Sequence, residues 1–264
     1  MDFCIIPPLA NLSLMNQGRR IFALAQLFIR YSEYADFIMQ KKQEGWFIIM
    51  DNGTGDHDLI TADELLGVID TVRPNEVIAP DILFDAAETV LQFELFVDKM
   101  EQMGLLNEVD LFFCPQGRTQ DEWLATYEYA LEHPLVKTIG MSKLSIPQCW
   151  DGGWDQDQNI MQARHKCYDY LLANDLIKKP LHFLGAGNVT EFQRYKHSLA
   201  RSTDSCFSVL AAIHGKNWKA YQMDRIPTPK DYFTNWSLSK DQYNIFTDNV
   251  EVLSDMCGHE PQKK

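Results

Sequence analysis

Two aspartates, Asp51 and Asp81, each follow a short run of apolar, β-prone residues: Phe47–Met50 and Val77–Pro80. Gln116 ends a similar run at Phe113–Pro115, Gly140 follows Ile139, and Gly185 follows Leu184. A third acid, Asp204, stands in Arg201-Ser202-Thr203-Asp204-Ser205-Cys206-Phe207, where neighbouring cations would keep it ionised. Carboxylates can attack an electrophilic carbon, relay a proton or accept from an N–H edge, while an amide or bare backbone N–H can donate to a carbonyl. Each position also has an ordinary explanation. Asp51-Asn52-Gly53-Thr54-Gly55-Asp56 is good turn chemistry, Asp81 beside Pro80 suits a helix cap, Gln116-Gly117 suits a turn, and Asp204 could be a cap. Their joint placement at successive strand ends favours chemistry.

Other motifs are weaker. Gly185-Ala186-Gly187-Asn188 could cradle a phosphate, but it lacks the third glycine of a dinucleotide fingerprint and the Lys-Ser/Thr of a P-loop. No nucleotide cofactor is expected. The six cysteines are scattered without a C-x-C or C-x-x-C pair, so they read as reduced thiols. His165-x-Cys167 lies in a helical stretch without a second pair, and no metal is expected.

The chain has 264 residues, a net charge of −13 and 45% hydrophobic residues, a composition for a folded chain with a sizeable core. No apolar run approaches the roughly 20 residues of a membrane span. The start, Met1-Asp2-Phe3-Cys4-Ile5-Ile6-Pro7-Pro8, does not read as a signal peptide, so a cytoplasmic protein is expected, or one in a host's cytoplasm if phage-encoded. The charge is uneven: residues 1–132 hold 8 basic and 23 acidic side chains, residues 133–264 hold 16 and 14. Segment 178–230 carries 9 basic residues against Glu191, Asp204 and Asp224, interleaved with Phe183, Phe192, Tyr195, Phe207, Trp218 and Tyr221. Such a mixture can hold phosphates and stack bases, or can be a solvated face.

Strands are expected at Phe3–Ile6, Trp46–Met50, Glu76–Ala79, Leu111–Cys114, Val136–Ile139, Leu181–Leu184 and, more weakly, Cys206–Leu210. Helical periodicity runs through Gly18–Gln40 and Ala62–Val72. Thr61-Ala62-Asp63-Glu64 and Thr119-Gln120-Asp121-Glu122 read as capping boxes, and Asn188 as the cap of a helix over Val189–Lys196. This βα alternation implies a parallel sheet, and polar residues after many different strands suit the C-terminal rim of a barrel. The expectation is one (β/α)8 TIM-type barrel spanning 1–264, with any irregularity or truncation near the C-terminus and a frayed tail after Asp255.

Taken in order, these motifs resemble the tRNA-guanine transglycosylase superfamily, most of all the short phage and bacterial relatives that put 7-deazaguanines into DNA. Phe47–Gly53 resembles that family's strand ending in Asp-Ser-Gly-Gly, with Asn52 and Thr54 departing from it. Val77–Asp81 is similar to its base-reading strand, and Phe112–Gly117 to its Gln-Gly strand. Thr138–Met141 is similar to its Val-Gly-Gly turn, with Met141 in place of the second glycine. Leu181–Gly187 looks like its Tyr-Leu-Met-Gly-Val-Gly strand, and Thr203–Cys206 sits where the family has its Phe-Asp-Cys nucleophile. The zinc cluster of the tRNA enzymes has no counterpart here, which favours DNA over a tRNA anticodon.

The resemblance implies Asp204 as nucleophile and Asp51 as proton relay. It implies a base site of Asp81, Gln116, Gly140, Met141, Asn52 and Gly185, with Gln116 and the Gly140 N–H donating to guanine O6. The substrates would be a flipped-out or single-stranded deoxyguanosine in DNA and a free 7-deazaguanine base. Lys178, Lys179, Arg194, Lys196, Arg201, Lys216 and Lys219 would hold the strand. No cofactor is implied, and the tRNA relatives make a homodimer the oligomeric form to consider. Competing expectations are base exchange in RNA, a retaining glycoside or nucleoside hydrolase using two carboxylates, a metal-dependent barrel hydrolase, and a silent nucleic-acid-binding barrel.

Overall fold

Eight short runs form strands: β1 (Asp2–Ile5), β2 (Ile21–Leu24), β3 (Ile48–Asp51), β4 (Glu76–Ile78), β5 (Asp110–Phe113), β6 (Val136–Met141), β7 (Leu181–Phe183) and β8 (Ala200–Ser205). They come from a computed structural model that describes residues 1–54, 60–150, 157–185, 188–220 and 226–259. Every pairing is parallel, in the order β1-β8-β7-β6-β5-β4-β3-β2. The protein is a nearly closed (β/α)8 barrel of the TIM type. Its seam lies between β1 and β2, which pack together without a ladder. The eight strands are complete, so the irregularity sits at the N-terminal seam and not, as the sequence implied, at the C-terminus.

The crossovers are a 3-10 segment (Leu9–Gln17) after β1, α1 (Ala25–Arg30) and α2 (Ser32–Gln43) after β2, then α3 (Ala62–Val72), α4 (Ala86–Gln102) and α5 (Gln120–Glu132). After β6 come α6 (Ser145–Trp150) and α7 (Asp157–Ala173), and a second 3-10 segment (Val189–Arg194) follows β7. The chain ends with α8 (Phe207–Ile213), α9 (Tyr232–Asn235) and α10 (Lys240–Met256). The tail expected to fray after Asp255 is tied down as far as His259, and residues 260–264 lie outside the described residues. The Met1 ammonium donates to Cys257 O at 2.7 Å, and His259 Nε2 lies 2.7 Å from Met1 O.

Two expectations about elements fail, for opposite reasons. The helical periodicity over Gly18–Gln40 hides β2, because Ile21-Phe22-Ala23-Leu24 is buried on both faces and runs straight into the apolar start of α1. The apolar run Cys206–Leu210 opens α8, while the strand before it, Ala-Arg-Ser-Thr-Asp-Ser, faces a polar interior and lacks a hydrophobic signature. The cap expectations fare better. Thr61 and Glu64 form the full capping box. Thr119 accepts from Glu122 N, but Glu122 accepts from Arg118 N and leaves that box half made. Asn188 caps the 3-10 segment through Thr190 N.

Pairing jumps from Leu181–Ala200 to His182–Ser202, leaving Arg201 as an extra residue in β8. A bulge of this kind re-aims side chains. Arg201 and Ser202 therefore both point into the barrel, where Arg201 pairs with Glu76 of β4 at 2.5 and 2.6 Å and donates to Thr138 of β6 at 2.9 Å. Above this layer the His182 ring stacks on Phe22 at 5.5 Å and meets Phe112 edge-on at 5.4 Å. These side chains fill the middle of the barrel, below a cavity at the C-terminal rim.

Candidate active site at the barrel rim

A cavity of about 450 Å³ opens at the C-terminal rim, and Asp51, Asn52, Asp81, Gln116, Gly185 and Asp204 line it. The barrel therefore gathers residues from the ends of β3, β4, β5, β7 and β8 that are up to 153 positions apart in sequence. Cys114 also lines the cavity, and its thiol is pushed far up by burial and by the negative charges of Asp81, Asp51 and Asp204. One sulfur feels all three carboxylates. It stays protonated and is not a nucleophile.

The Asp81 carboxylate is gripped by two amides. Asn52 Nδ2 donates to its Oδ1 at 2.8 Å and to Ala79 O at 2.9 Å, and Gln116 Nε2 donates to its Oδ2 at 2.5 Å. Gln116 Oε1 accepts from Phe84 N at 3.2 Å, which fixes which end of the amide faces Asp81. Burial raises the Asp81 pKa above the usual carboxylate value, against the pull of the Asn52 and Gln116 donors. Asp81 is 6% exposed and Gln116 is fully buried, so both are held rigidly. Asp51 accepts from Gly53 N at 3.1 Å, and Asn52 Oδ1 accepts from Thr54 N at 2.9 Å, which folds the β3 end into a tight turn. Gly55 and Asp56 of that motif lie outside the described residues, as do Ala186 and Gly187.

Asp204 is built differently. Its Oδ1 receives two donors, His182 Nε2 and the Gly185 N–H, both at 3.0 Å. Its Oδ2 has no donor among the described residues. Burial lowers the His182 pKa, against the pull of Asp204, so the imidazole is neutral. An ionised carboxylate only accepts, so the ring proton belongs on Nε2 and Nδ1 accepts from the Ser202 hydroxyl at 2.8 Å. Arg201 Nε in turn donates to Ser202 Oγ at 3.2 Å. A polar chain thus runs from Glu76 at the base of the barrel to one oxygen of Asp204. Sequence reasoning missed His182, although a lone polar residue inside Leu181-His182-Phe183 was the available signal.

Gly140 and Met141 do not line the cavity. Gly140 lies inside β6 paired with His182, where a Cβ would come within 2.8 Å of Cys114 Sγ and Phe112. It is a packing glycine, not a donor to a ligand. Met141 is fully buried, and its carbonyl accepts from Leu184 N at 3.2 Å and from Arg164 Nη1 at 3.2 Å. The same Nη1 reaches Leu184 O at 2.7 Å, and Glu191 pairs with Arg164 while accepting from the Tyr195 hydroxyl at 2.6 Å. This buried clamp sets the spacing of the β6 and β7 ends. The residues β6 delivers to the cavity come one step later, at Ser142, Lys143 and Leu144.

The basic segment 178–230 does not make one surface. In a parallel barrel, residues that precede a strand emerge at the face opposite the active-site rim. Lys178 and Lys179 precede β7 and Lys196 precedes β8. Lys178 pairs with Asp175, and Lys179 donates to Ala130 O and His133 O. Arg201 is committed to Glu76 inside the barrel. Arg194 pairs with Asp169, and Lys219 with Asp248 and Glu251. Lys216 is exposed and also has an interaction partner. The aromatic residues Phe183, Phe192, Tyr195 and Trp218 are buried in the core, and Phe207, also buried, lines the cavity, so they form no exposed stacking surface. Tyr221 and Arg225 lie outside the described residues.

Among the described residues no three His, Cys, Asp or Glu side chains come together as a metal site. No helix among them is long and apolar enough to cross a membrane. The chain matches no model of a known protein family and no curated protein.

Proposed function

We propose that the protein is a base-exchanging transglycosylase that replaces the guanine of a deoxyguanosine with a 7-deazaguanine base. The observation that carries this reading is the asymmetry of Asp204. Asp204 lines the cavity with one oxygen anchored by two N–H donors and the other without a donor among the described residues, as suits a carboxylate that attacks carbon. Asp204 Oδ2 would bond to C1′ as the C1′–N9 bond breaks and guanine leaves. The incoming base would then attack C1′ through its N9, the ester bond would break, and the configuration would be retained. Asp51, on the rim of the same cavity, would deliver a proton to the departing base and take one from the entering base.

The Asn52–Asp81–Gln116 cluster supports a guanine in preference to an adenine. Asp81 offers a rigid acceptor for the N1–H and N2 amino edge. Gln116 Nε2 uses one hydrogen on Asp81 and keeps a second for O6. Adenine would leave these buried groups unmatched, and an unmatched buried polar group discriminates strongly. The Gly140 N–H, expected as a second O6 donor, has no part in this version.

The dispersal of the basic residues favours a second reading, hydrolysis of a free nucleoside through the same ester with water as acceptor. Incubation with single-stranded DNA and a 7-deazaguanine base, followed by mass spectrometry of the nucleosides, separates the two. The proposal expects the modified nucleoside and its loss in Asp204→Asn; guanine release without incorporation supports hydrolysis, and retained exchange in Asp204→Asn overturns both.

A further inference from the structure

Lys143 is the only basic residue among the described residues that line the cavity. It is half-buried, and no acid or other partner meets it among the described residues. That is unusual beside three carboxylates. The reason is local: each Asp81 oxygen already accepts an amide N–H, and Asp204 Oδ1 accepts from His182 and Gly185. The loop itself is fixed, because Ser142 Oγ accepts from Leu144 N at 3.1 Å and from Ser145 N at 3.2 Å.

Where the lysine leans narrows its role. A Cβ built on Gly185 would come 2.6–2.8 Å from Cδ, Cε and Nζ of Lys143, so the stem and ammonium lie over that glycine. Gly185 has φ +61° and gives its N–H to Asp204. One glycine therefore seats the cation and anchors the nucleophile. The ammonium stands on the Asp204 side of the cavity, where the sugar would lie, and outside ion-pair distance of that carboxylate.

We propose that Lys143 binds a phosphate flanking the sugar that Asp204 attacks, so that the substrate is a nucleotide unit and not a free nucleoside. A phosphate entering this cavity meets three carboxylates, and an ammonium that is unpaired among the described residues offsets that repulsion next to the attacked carbon. The inference deepens the transglycosylase reading and rests on it for the guanine. The phosphate contact itself stands on the lysine alone.

The test is calorimetric binding to the Asp204→Asn protein, which blocks turnover. Its ligands are deoxyguanosine, its 3′- and 5′-monophosphates, ribose and ribose 5-phosphate. With Lys143 in place, at least one deoxyguanosine monophosphate should bind ten times more tightly than deoxyguanosine, or better. That gain should fall below twofold in Lys143→Met and survive in part in Lys143→Arg. Equal affinity for nucleoside and both monophosphates, or a gain that persists in Lys143→Met, overturns the proposal. If no guanine compound binds, the transglycosylase reading fails and ribose 5-phosphate against ribose still decides: a Lys143-dependent gain supports the phosphate site, and no gain rejects it.

Discussion

The two ends of the barrel interior handle charge in opposite ways. At the base, Glu76 and Arg201 form a two-toothed pair closed by Thr138, and every polar atom of the carboxylate has a partner. At the rim, Asp51, Asp81 and Asp204 crowd one cavity whose only described cation is unpaired. Burial would raise the Glu76 pKa, yet the Arg201 and Thr138 hydrogen bonds hold it below the usual value; at Asp81 the neutral amides do not overcome burial, and its pKa rises. Balanced charge fixes the strands, and unbalanced charge is left free to meet a ligand.

Substitutions should split along this line. Asp204→Asn is expected to lower exchange by about 10⁴-fold, the scale of removing a nucleophile, while leaving thermal stability unchanged within a degree or two in calorimetry. Equal losses of both would place Asp204 with the structural end. Arg201→Met should do the reverse. It strands a buried carboxylate, so urea unfolding should show a loss of about 3–5 kcal/mol, and a surviving fold should keep guanine binding. Asp81→Asn lies between: guanine affinity should drop about 10- to 100-fold, the worth of a hydrogen bond to a charged group, with hypoxanthine, which lacks the N2 amino group, affected less.

The smallest effect is one of pH. In the unfolded chain His182 would titrate near 6.5, whereas burial lowers its pKa in the fold. Between those values the unfolded state holds the extra proton, so stability is full above pH 6.5 and declines as the pH falls below it, by about 1.4 kcal/mol per unit at most. Urea midpoints between pH 7.5 and 5.5 should show this decline, and His182→Gln should flatten it relative to wild type. Glu76 acts in a separate window: its pKa lies below 4.5, so its contribution is complete above that value and is lost only as the pH falls further. An unchanged slope in His182→Gln would mean that the imidazole takes up its proton over the same pH range in the folded and the unfolded chain.

The sequence made Asp51 and Asp81 legible because each sits at a strand end, where a hydrophobic run stops abruptly at a polar residue, whereas Asp204 stood out only by its basic surroundings. Asp51, Asp81 and Gln116 could be placed on one rim for that reason. Gly140 could not, since its neighbours Phe112 and Cys114 come from β5 and the need for a bare Cα there is a tertiary fact. Lys143 and His182 escape for different reasons: one follows its strand by two residues, and the other is a lone polar residue within its strand whose role comes from Ser202 and Asp204 across the ladder. The basic segment misled because linear clustering says nothing about which face of a parallel barrel each residue reaches, and Lys179 and Lys143 emerge on opposite faces.

The supernumerary residue in β8 lets an arginine join a strand whose phase is set by its neighbours. With Arg201 deleted, Ala200 and Ser202 would pair with Leu181 and His182 in plain alternation, and Thr203 and Asp204 would keep their directions. Glu76 would lose its cation at the base of the barrel. A one-codon deletion there should therefore weaken the fold while leaving the acid aimed at the cleft.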